Sequence, residues 1–247
     1  MRIRVCSWNI SADGSRDYKG IASFVRQNSV DILLLQEAAI YFDIYPATDM
    51  TESVAKELQF ASVFYPAFDG RPKKAIVVGN GIVSRFPISS ANPTELSPDL
   101  QYSGTHETEQ RIAVSARVLL PGNKIFTVVN THLQFSKEFQ PTEIRLDQIE
   151  NLIGVIGGIA PPFLLAGNFN ALAKNPEITL LEKLMTRIGG DEPTWPSKTF
   201  EYQGWVVNPL MYRPDHIFLS RDCRQDKFQI GKSDLFEHLP LIVDLSV

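Results

Sequence analysis

Apolar residues along this chain fall into short β-branched or leucine-rich runs and into stretches with a helical repeat. The runs predict strands at IRVCSWNI (3–10), DILLLQE (31–37), QRIAVSARVLL (110–120), KIFTVVNTHLQ (124–134), PPFLLAGNFNA (161–171), DHIFLS (215–220) and LPLIVDLSV (239–247). DILLLQE is continuously apolar and bounded by charge, as in a strand covered on both faces. KAIVVGNGIVSRFPI (74–88) reads as two strands turning at Gly79-Asn80-Gly81, and Pro121-Gly122-Asn123 marks another turn. Ile21, Phe24 and Val25 stand at helical spacing between Asp17 and Asn28; Thr51 to Leu58 suits a second helix. Glu143 to Ile156 puts Ile144, Ile149, Leu152, Ile153 and Ile156 on one helical face, and Pro176 to Ile188 also reads as helix. Gly189 to Arg213, rich in Pro, Trp and Gly, predicts a long loop with short strands. With no repeat, linker or low-complexity tract, the expectation is one domain over 1–247, an α/β sandwich with sheets inside and helices outside.

Composition narrows this picture. The 247 residues are 44% hydrophobic, enough for a large core and against intrinsic disorder. A formal charge of −4 excludes a histone-like protein held to nucleic acid by its own charge, but a bound metal can supply positive charge locally. Two cysteines, Cys6 and Cys223, cannot staple a fold of this size, and Cys6 is expected as a buried free thiol. No stretch approaches the ~20 apolar residues of a membrane span, and MRIRVCSWNI is too short and polar for a signal-peptide core. The expected setting is soluble, reducing and intracellular, in the cytoplasm or the nucleus.

The chemistry-bearing residues cluster at predicted strand ends. They are Asn9, Gln36-Glu37, Thr131-His132, Asn168-Phe169-Asn170, Asp215-His216 and Glu237-His238. Taken singly, each has an ordinary reading: Asn9 and the 168–170 run as turn formers, His132 and His238 as satisfied core histidines. Glu37 is harder to dismiss, because a carboxylate that follows four apolar residues and a glutamine does not enter a core unpaired. Brought to one edge of a sandwich, these residues would form an oxygen-rich cradle for a hard divalent cation beside a histidine pair.

In order, CSWNI, LLLQEA, NTHL, AGNFNA, RPDHIFLS and EHLPL resemble the motifs of the endonuclease/exonuclease/phosphatase superfamily, with GNGIVSRFPI similar to a further non-catalytic run. That superfamily includes deoxyribonucleases, abasic-site endonucleases, tyrosyl-DNA phosphodiesterases, sphingomyelinases and inositol-phosphate phosphatases. The resemblance implies a four-layered α/β sandwich, two packed mixed β-sheets flanked by helices, and metal-dependent phosphoester hydrolysis. It implies Glu37 as principal Mg²⁺ or Mn²⁺ ligand with Asn9 beside it. It further implies Asn170 on a phosphate oxygen or the metal, His238 acting at the phosphate, Asp215 orienting His238, and His132 as the second histidine. Arg111 matches, more loosely, a phosphate-facing arginine.

Two positions depart from the family pattern. Asn168 stands where the family carries an Asp thought to position or deprotonate the attacking water, and an amide takes no proton at neutral pH. An engineered substitution is the favoured reading; a naturally weakened enzyme or a silent phosphate-binding module is the other. The chain also ends Phe236-Glu237-His238-Leu239-Pro240 instead of S-D-H-x-P, which makes Glu237 a candidate ligand ahead of Asp234. The expected substrate is nucleic acid, as for a nuclease or DNA-repair phosphodiesterase; an inositol phosphate, another phosphorylated small molecule or a lipid is the alternative. The basic run Arg71-Pro72-Lys73-Lys74 is expected as a solvated turn. Trp195, Tyr202, Trp205 and Tyr212 could stack on bases, wedge into lipid or pack within their loop.

Overall fold

A computed structural model describes residues 1–12, 14–43, 45–101, 103 and 108–247. One mixed sheet contains β1 (Arg2–Asn9), β2 (Ile32–Tyr41), β3 (Thr48–Asp49), β4 (Ala61–Asp69), β5 (Ile76–Ser84), β14 (Arg224–Ile230) and β15 (Leu241–Ser246). Its order is β14-β15-β1-β2-β5-β4, with β3 paired to β2. The second contains β6 (Ile88–Glu95), β7 (Ile112–Leu120), β8 (Lys124–His132), β9 (Phe163–Asn168), β10 (Thr186–Arg187) and β13 (Asp215–Leu219), in the order β10-β13-β9-β8-β7-β6. A separate hairpin joins β11 (Phe200–Tyr202) to β12 (Trp205–Val207).

Side-chain parity assembles the layers. Ile3 and Val5 of β1, Ile32 and Leu34 of β2, Phe126 and Val128 of β8, and Leu164 and Ala166 of β9 fill one core between the sheets. The alternate positions face outward under helices. Cys6, Leu33 and Leu35 pack with Ile21 and Phe24 of α1 (Tyr18–Gln27) and Val54 of α2 (Met50–Leu58). Val129 and Leu165 pack with Ile149 and Leu152 of α3 (Glu143–Gly157) and Ile178 of α4 (Pro176–Glu182). The result is the four-layered α/β sandwich, with both central strands of each sheet covered on two sides. Cys6 is buried and unbridged, and burial pushes its thiol pKa up. Among the described residues no helix is long and apolar enough to cross a membrane.

Three differences from the sequence reading have physical causes. Gly79-Asn80-Gly81 is not a turn but the middle of one continuous strand, β5. Its glycines answer crowding: a Cβ would lie 2.0 Å from the Tyr65 carbonyl oxygen at Gly79 and 2.3 Å from Thr51 Oγ1 at Gly81. The helix from Pro176 stops at Glu182, because Thr186 and Arg187 pair with Leu219 and Phe218 in the second sheet. Strands β6 and β14 carry no clear apolar signal in the sequence, and Pro66 interrupts the apolar run of β4. All three lie at sheet edges, where one side is unpaired and burial is slight.

Arg145 on α3 is fully buried with Glu177 of α4, Nε donating to Oε1 at 2.8 Å. Its remaining N–H groups donate to Gln134 O, Ser136 Oγ and Gln140 O, so one guanidinium ties two helices to the segment that follows β8. Burial lowers the Arg145 pKa, with Glu177 pulling the other way. Removing one member of such a pair strands a charge in the core, whereas replacing both with apolar groups need not. We expect Arg145→Met to cost about 3–5 kcal/mol in urea denaturation, and Arg145→Met/Glu177→Met to recover most of it. Equal losses in the single and double variants would show that the pair is not coupled.

Candidate active site

The inter-sheet core ends in polar residues at one edge of the sandwich. Continuing each core-facing phase by two residues leads from Val5 to Ser7 and Asn9, from Val128 to Asn130 and His132, from Ala166 to Asn168, and from Ile217 back to Asp215. In the second sheet His132 pairs with Asn168 and Asn168 with Asp215, making a row across three strands. Both parallel pairs, β1 with β2 and β8 with β9, point their C-terminal ends at this edge, where ligands commonly bind open α/β sheets.

Glu37 reaches the same edge by another route. On β2 the core-facing phase of Ile32 and Leu34 continues to Gln36, not to Glu37. A bulge intervenes: Leu35 pairs with Gly81 and Ala38 with Gly79, so Gln36 and Glu37 together oppose Asn80 alone. Glu37 takes φ +53°, a left-handed conformation that costs a non-glycine residue about 1–2 kcal/mol. Its carboxylate is held by Asn9 Nδ2 at 2.8 Å and the Ala12 backbone N–H at 3.1 Å, and stays partly open to the cleft. Asn9 also accepts the Ser11 N–H on Oδ1, so both ends of its amide serve to fix Glu37.

The two histidines are supported differently. His238 Nδ1 donates to Asp215 Oδ2 at 2.9 Å, and Thr194 Oγ1 donates to the same oxygen at 2.6 Å. Trp8 Nε1 fixes the His238 backbone by donating to its carbonyl. Burial opposes charging of His238, but the Asp215 charge and hydrogen bond, aided by Glu37 and Glu237, outweigh it and raise the pKa above 6.5. His132 has Arg111 Nη1 3.2 Å from Nδ1. A guanidinium only donates, so Nδ1 accepts from Arg111. Nε2 of the same ring lies 3.1 Å from Asn170 Nδ2 and 3.9 Å from Glu37 Oε1. Arg111 is steadied by Glu109 at 3.0 Å.

Asn170 sits at φ +48°, a left-handed position asparagine tolerates, and its backbone N–H donates to Asn168 Oδ1 at 2.9 Å. With that oxygen engaged, Asn168 has its amide N–H₂ left for the cleft: a donor where a carboxylate would offer an acceptor. The cleft holds about 600 Å³ and brings together Glu37, Arg111, His132, Asn168, Asn170 and His238, with Asp215 buried behind His238. Glu237 lines the cleft with its side chain exposed, and Asp234 is not among the lining residues. His216, next to Asp215, turns away: it is fully buried, donates to Ala171 O, and burial lowers its pKa to about 3.

Mg²⁺ and Mn²⁺ want hard oxygens and are satisfied by one or two carboxylates, with water and substrate phosphate completing the shell. Glu37 is such a carboxylate, fixed by two donors and still partly open. No group of three His, Cys, Asp or Glu side chains forms a cage among the described residues. The donor set therefore fits a hydrated dication anchored on Glu37 and not a zinc-type cage.

The cleft walls are aromatic. Phe139, Trp195 and Trp205 are buried together, while Phe135, Phe200 and Tyr202 are half-buried at the edge of the cleft. Packing thus accounts for Trp195 and Trp205, and Phe200 and Tyr202 are the half-buried loop aromatics that line the cleft. Arg71 is spent on Asp69 in a solvated turn, whereas Lys74 reaches the cleft. Thr194, Trp8 and Asn130 escaped sequence reasoning as site supports, and Gln36 stood in the candidate set without a role. Trp8, Gln36 and Asn130 stand within or beside the recognised motifs, but Thr194 has no local signal at all.

The sequence model of the Endonuclease/Exonuclease/phosphatase family matches residues 6–234. No curated protein matches the sequence significantly. Similar solved structures include an endonuclease/exonuclease/phosphatase from Beutenbergia cavernae DSM 12333, 19% identical with a TM-score of 0.76, covering 100% of this chain and 72% of that one. A mannosyl-6-phosphatase of Bacteroides thetaiotaomicron is 17% identical with a TM-score of 0.68, covering 99% of this chain and 100% of its own. The human Nocturnin catalytic domain with bound sulfate is 17% identical with a TM-score of 0.70, covering 99% and 93%. At these identities the structures speak for the fold alone.

The raised His238 pKa links the site to stability. Its folded value exceeds the unfolded one, so the Asp215–His238 pair stabilises fully below about pH 6.5 and loses its contribution as pH rises through the raised value. We expect the stability difference between the parent and Asp215→Asn to shrink in denaturant titrations as the pH rises above about 6.5. A difference independent of pH would contradict the pairing.

Proposed function

The chain belongs to the endonuclease/exonuclease/phosphatase family, and from that membership and the cleft we infer that it is a divalent-metal-dependent phosphodiester hydrolase acting on nucleic acid. The observation that carries this reading is the convergence of Glu37, His132, Asn170 and the Asp215–His238 pair on one cleft from separate strands. Bound on Glu37, Mg²⁺ or Mn²⁺ would neutralise charge on the phosphoryl oxygens.

The chain's own residues account for the rest. His238, with a raised pKa and its Nδ1–H held by Asp215, offers Nε2–H to a non-bridging oxygen. As water adds to phosphorus that oxygen gains charge, so the donor binds the transition state more strongly than the ground state. His132, set between Arg111 and Asn170 and near Glu37, is the second imidazole at the phosphate seat. The Asn170 amide completes the phosphate seat beside it. Asn168 is the weak component. Its Oδ1 is engaged and its amide takes no proton, so the attacking water lacks a base at this position.

Charge around the cleft bears on the form of the substrate. Lys74, Lys198 and Arg111 are balanced by Glu109, Glu201 and Glu237, which is no track for a long duplex. A single strand or short end, with an unstacked base against Tyr202 or Phe200, suits this cleft better than duplex DNA. The same lack of an extended basic track favours a second reading, hydrolysis of a small phosphorylated molecule.

Two substitutions test the assignment. Asn and Asp have nearly the same shape, so Asn168→Asp should keep the fold. It should raise hydrolysis of a generic phosphodiester and single-stranded DNA at least about a hundredfold in Mg²⁺, the range of general-base assistance. Activity absent from both proteins, or untouched by chelator, would favour a silent binding module. Glu37→Gln should weaken Mn²⁺ binding in calorimetric titration more than any other single change in the cleft. Unchanged affinity would remove Glu37 as the anchor.

A further inference from the structure

Asn130 lies one side-chain repeat before His132, where Phe126 and Val128 call for another apolar residue. It is fully buried. A buried amide is costly unless bonded, and all the bonds of Asn130 go to the same place. Nδ2 donates to the carbonyls of Leu35 at 2.8 Å and Gly81 at 2.9 Å, and Oδ1 accepts from Gln36 Nε2 at 2.7 Å. Leu35 and Gly81 are the last regular partners in the β2–β5 ladder before the bulge, and Gln36 is its first residue. Gln36, also fully buried, extends the network to Ser7 Oγ at 3.2 Å.

From these contacts we propose that Asn130 is a positioning residue: it braces the β2 bulge from the opposite sheet and thereby holds Glu37 turned into the cleft. The inference rests on the reading of Glu37 as the metal anchor. A regular β2–β5 ladder would put Glu37 one residue on from Gln36 and therefore on the other face, toward the layer of Leu33 and Leu35. The bulge avoids this at the expense of a left-handed glutamate, a conformation that persists only where its surroundings over-determine it. Two N–H donors fixed across the sheet interface on the carbonyls of the last regular pair before the bulge supply that determination. They also couple Glu37 to His132, two residues further along the strand that carries the brace.

Asn130→Asp keeps the shape and removes both donors; Asn130→Leu follows the apolar pattern of the core. For either variant we expect Mn²⁺ affinity in calorimetry to fall about tenfold or more, as for removal of a residue that orients a metal ligand. The backbone coupling constants of Glu37 should leave the left-handed range. In the Glu37→Gln background the same substitutions should cause no further loss of Mn²⁺ affinity. A variant that melts earlier yet binds Mn²⁺ within about twofold of the parent, with Glu37 still left-handed, would overturn the proposal. If neither variant folds, the parent protein decides: the Asn130 side-chain amide protons should exchange far more slowly than those of exposed asparagines, and rapid exchange would overturn it. Should Glu37→Gln leave Mn²⁺ binding intact, the metal reading fails separately, and the Glu37 coupling constants still judge the brace.

Discussion

Two sheets that share one buried face impose a two-residue rule on every strand crossing the sandwich. Side chains of one parity meet the opposite sheet, and those of the other meet helices. At one edge the apolar run stops while the parity continues, so Asn9, His132, Asn168 and Asp215 arrive on the shared face without any special backbone. Glu37 breaks the rule by one residue and needs a bulge, a left-handed backbone and the Asn130 brace to reach the same place. Position in this site is therefore inherited from core packing, which resists small displacements better than a surface loop could.

Electrostatics then divides the site in two. On one side the Asp215–His238 pair is buried and hydrogen-bonded, with Thr194 completing the carboxylate, which favours the protonated ring. On the other, Glu37 keeps an open carboxylate flanked by amides and backbone N–H groups, suited to a hydrated dication. Arg111 and His132 lie next to that cradle, and Asn168 sits at the centre of the row joining His132 to Asp215. On the proposed reading, position 168, where a base would take a proton from water, holds a neutral amide, and the site is better provided for holding a phosphate than for activating its attacker.

Much of this was legible in the sequence because buried strands write their runs plainly. Central strands such as DILLLQE and FLLAGN and the helix from Glu143 stand where their patterns predict. Edge strands β6 and β14 left little trace, since their exposed polar residues pair mainly through their backbones, and Pro66 interrupts the apolar run of β4. Gly79-Asn80-Gly81 misled because glycine is needed both for turns and for close backbone approach, and only the neighbours Tyr65 and Thr51 distinguish the two. The candidate residues were readable as an ordered set of motifs. Their supports were harder: Thr194 meets Asp215 across 21 positions of chain, and Asn130 meets Leu35 across 95. Such contacts leave no local pattern.

The central claim is that the polar end of the inter-sheet core is a metal-assisted phosphoester site anchored on Glu37. Crystals of the protein grown with Mn²⁺ and inorganic phosphate, with diffraction data collected at the manganese absorption edge, test it most directly. The account predicts an anomalous peak within about 2.2 Å of a Glu37 carboxylate oxygen, and phosphate between that peak and His238, in contact with Asn170. Manganese bound away from Glu37, or phosphate bound outside the His132–His238 cleft, would contradict it.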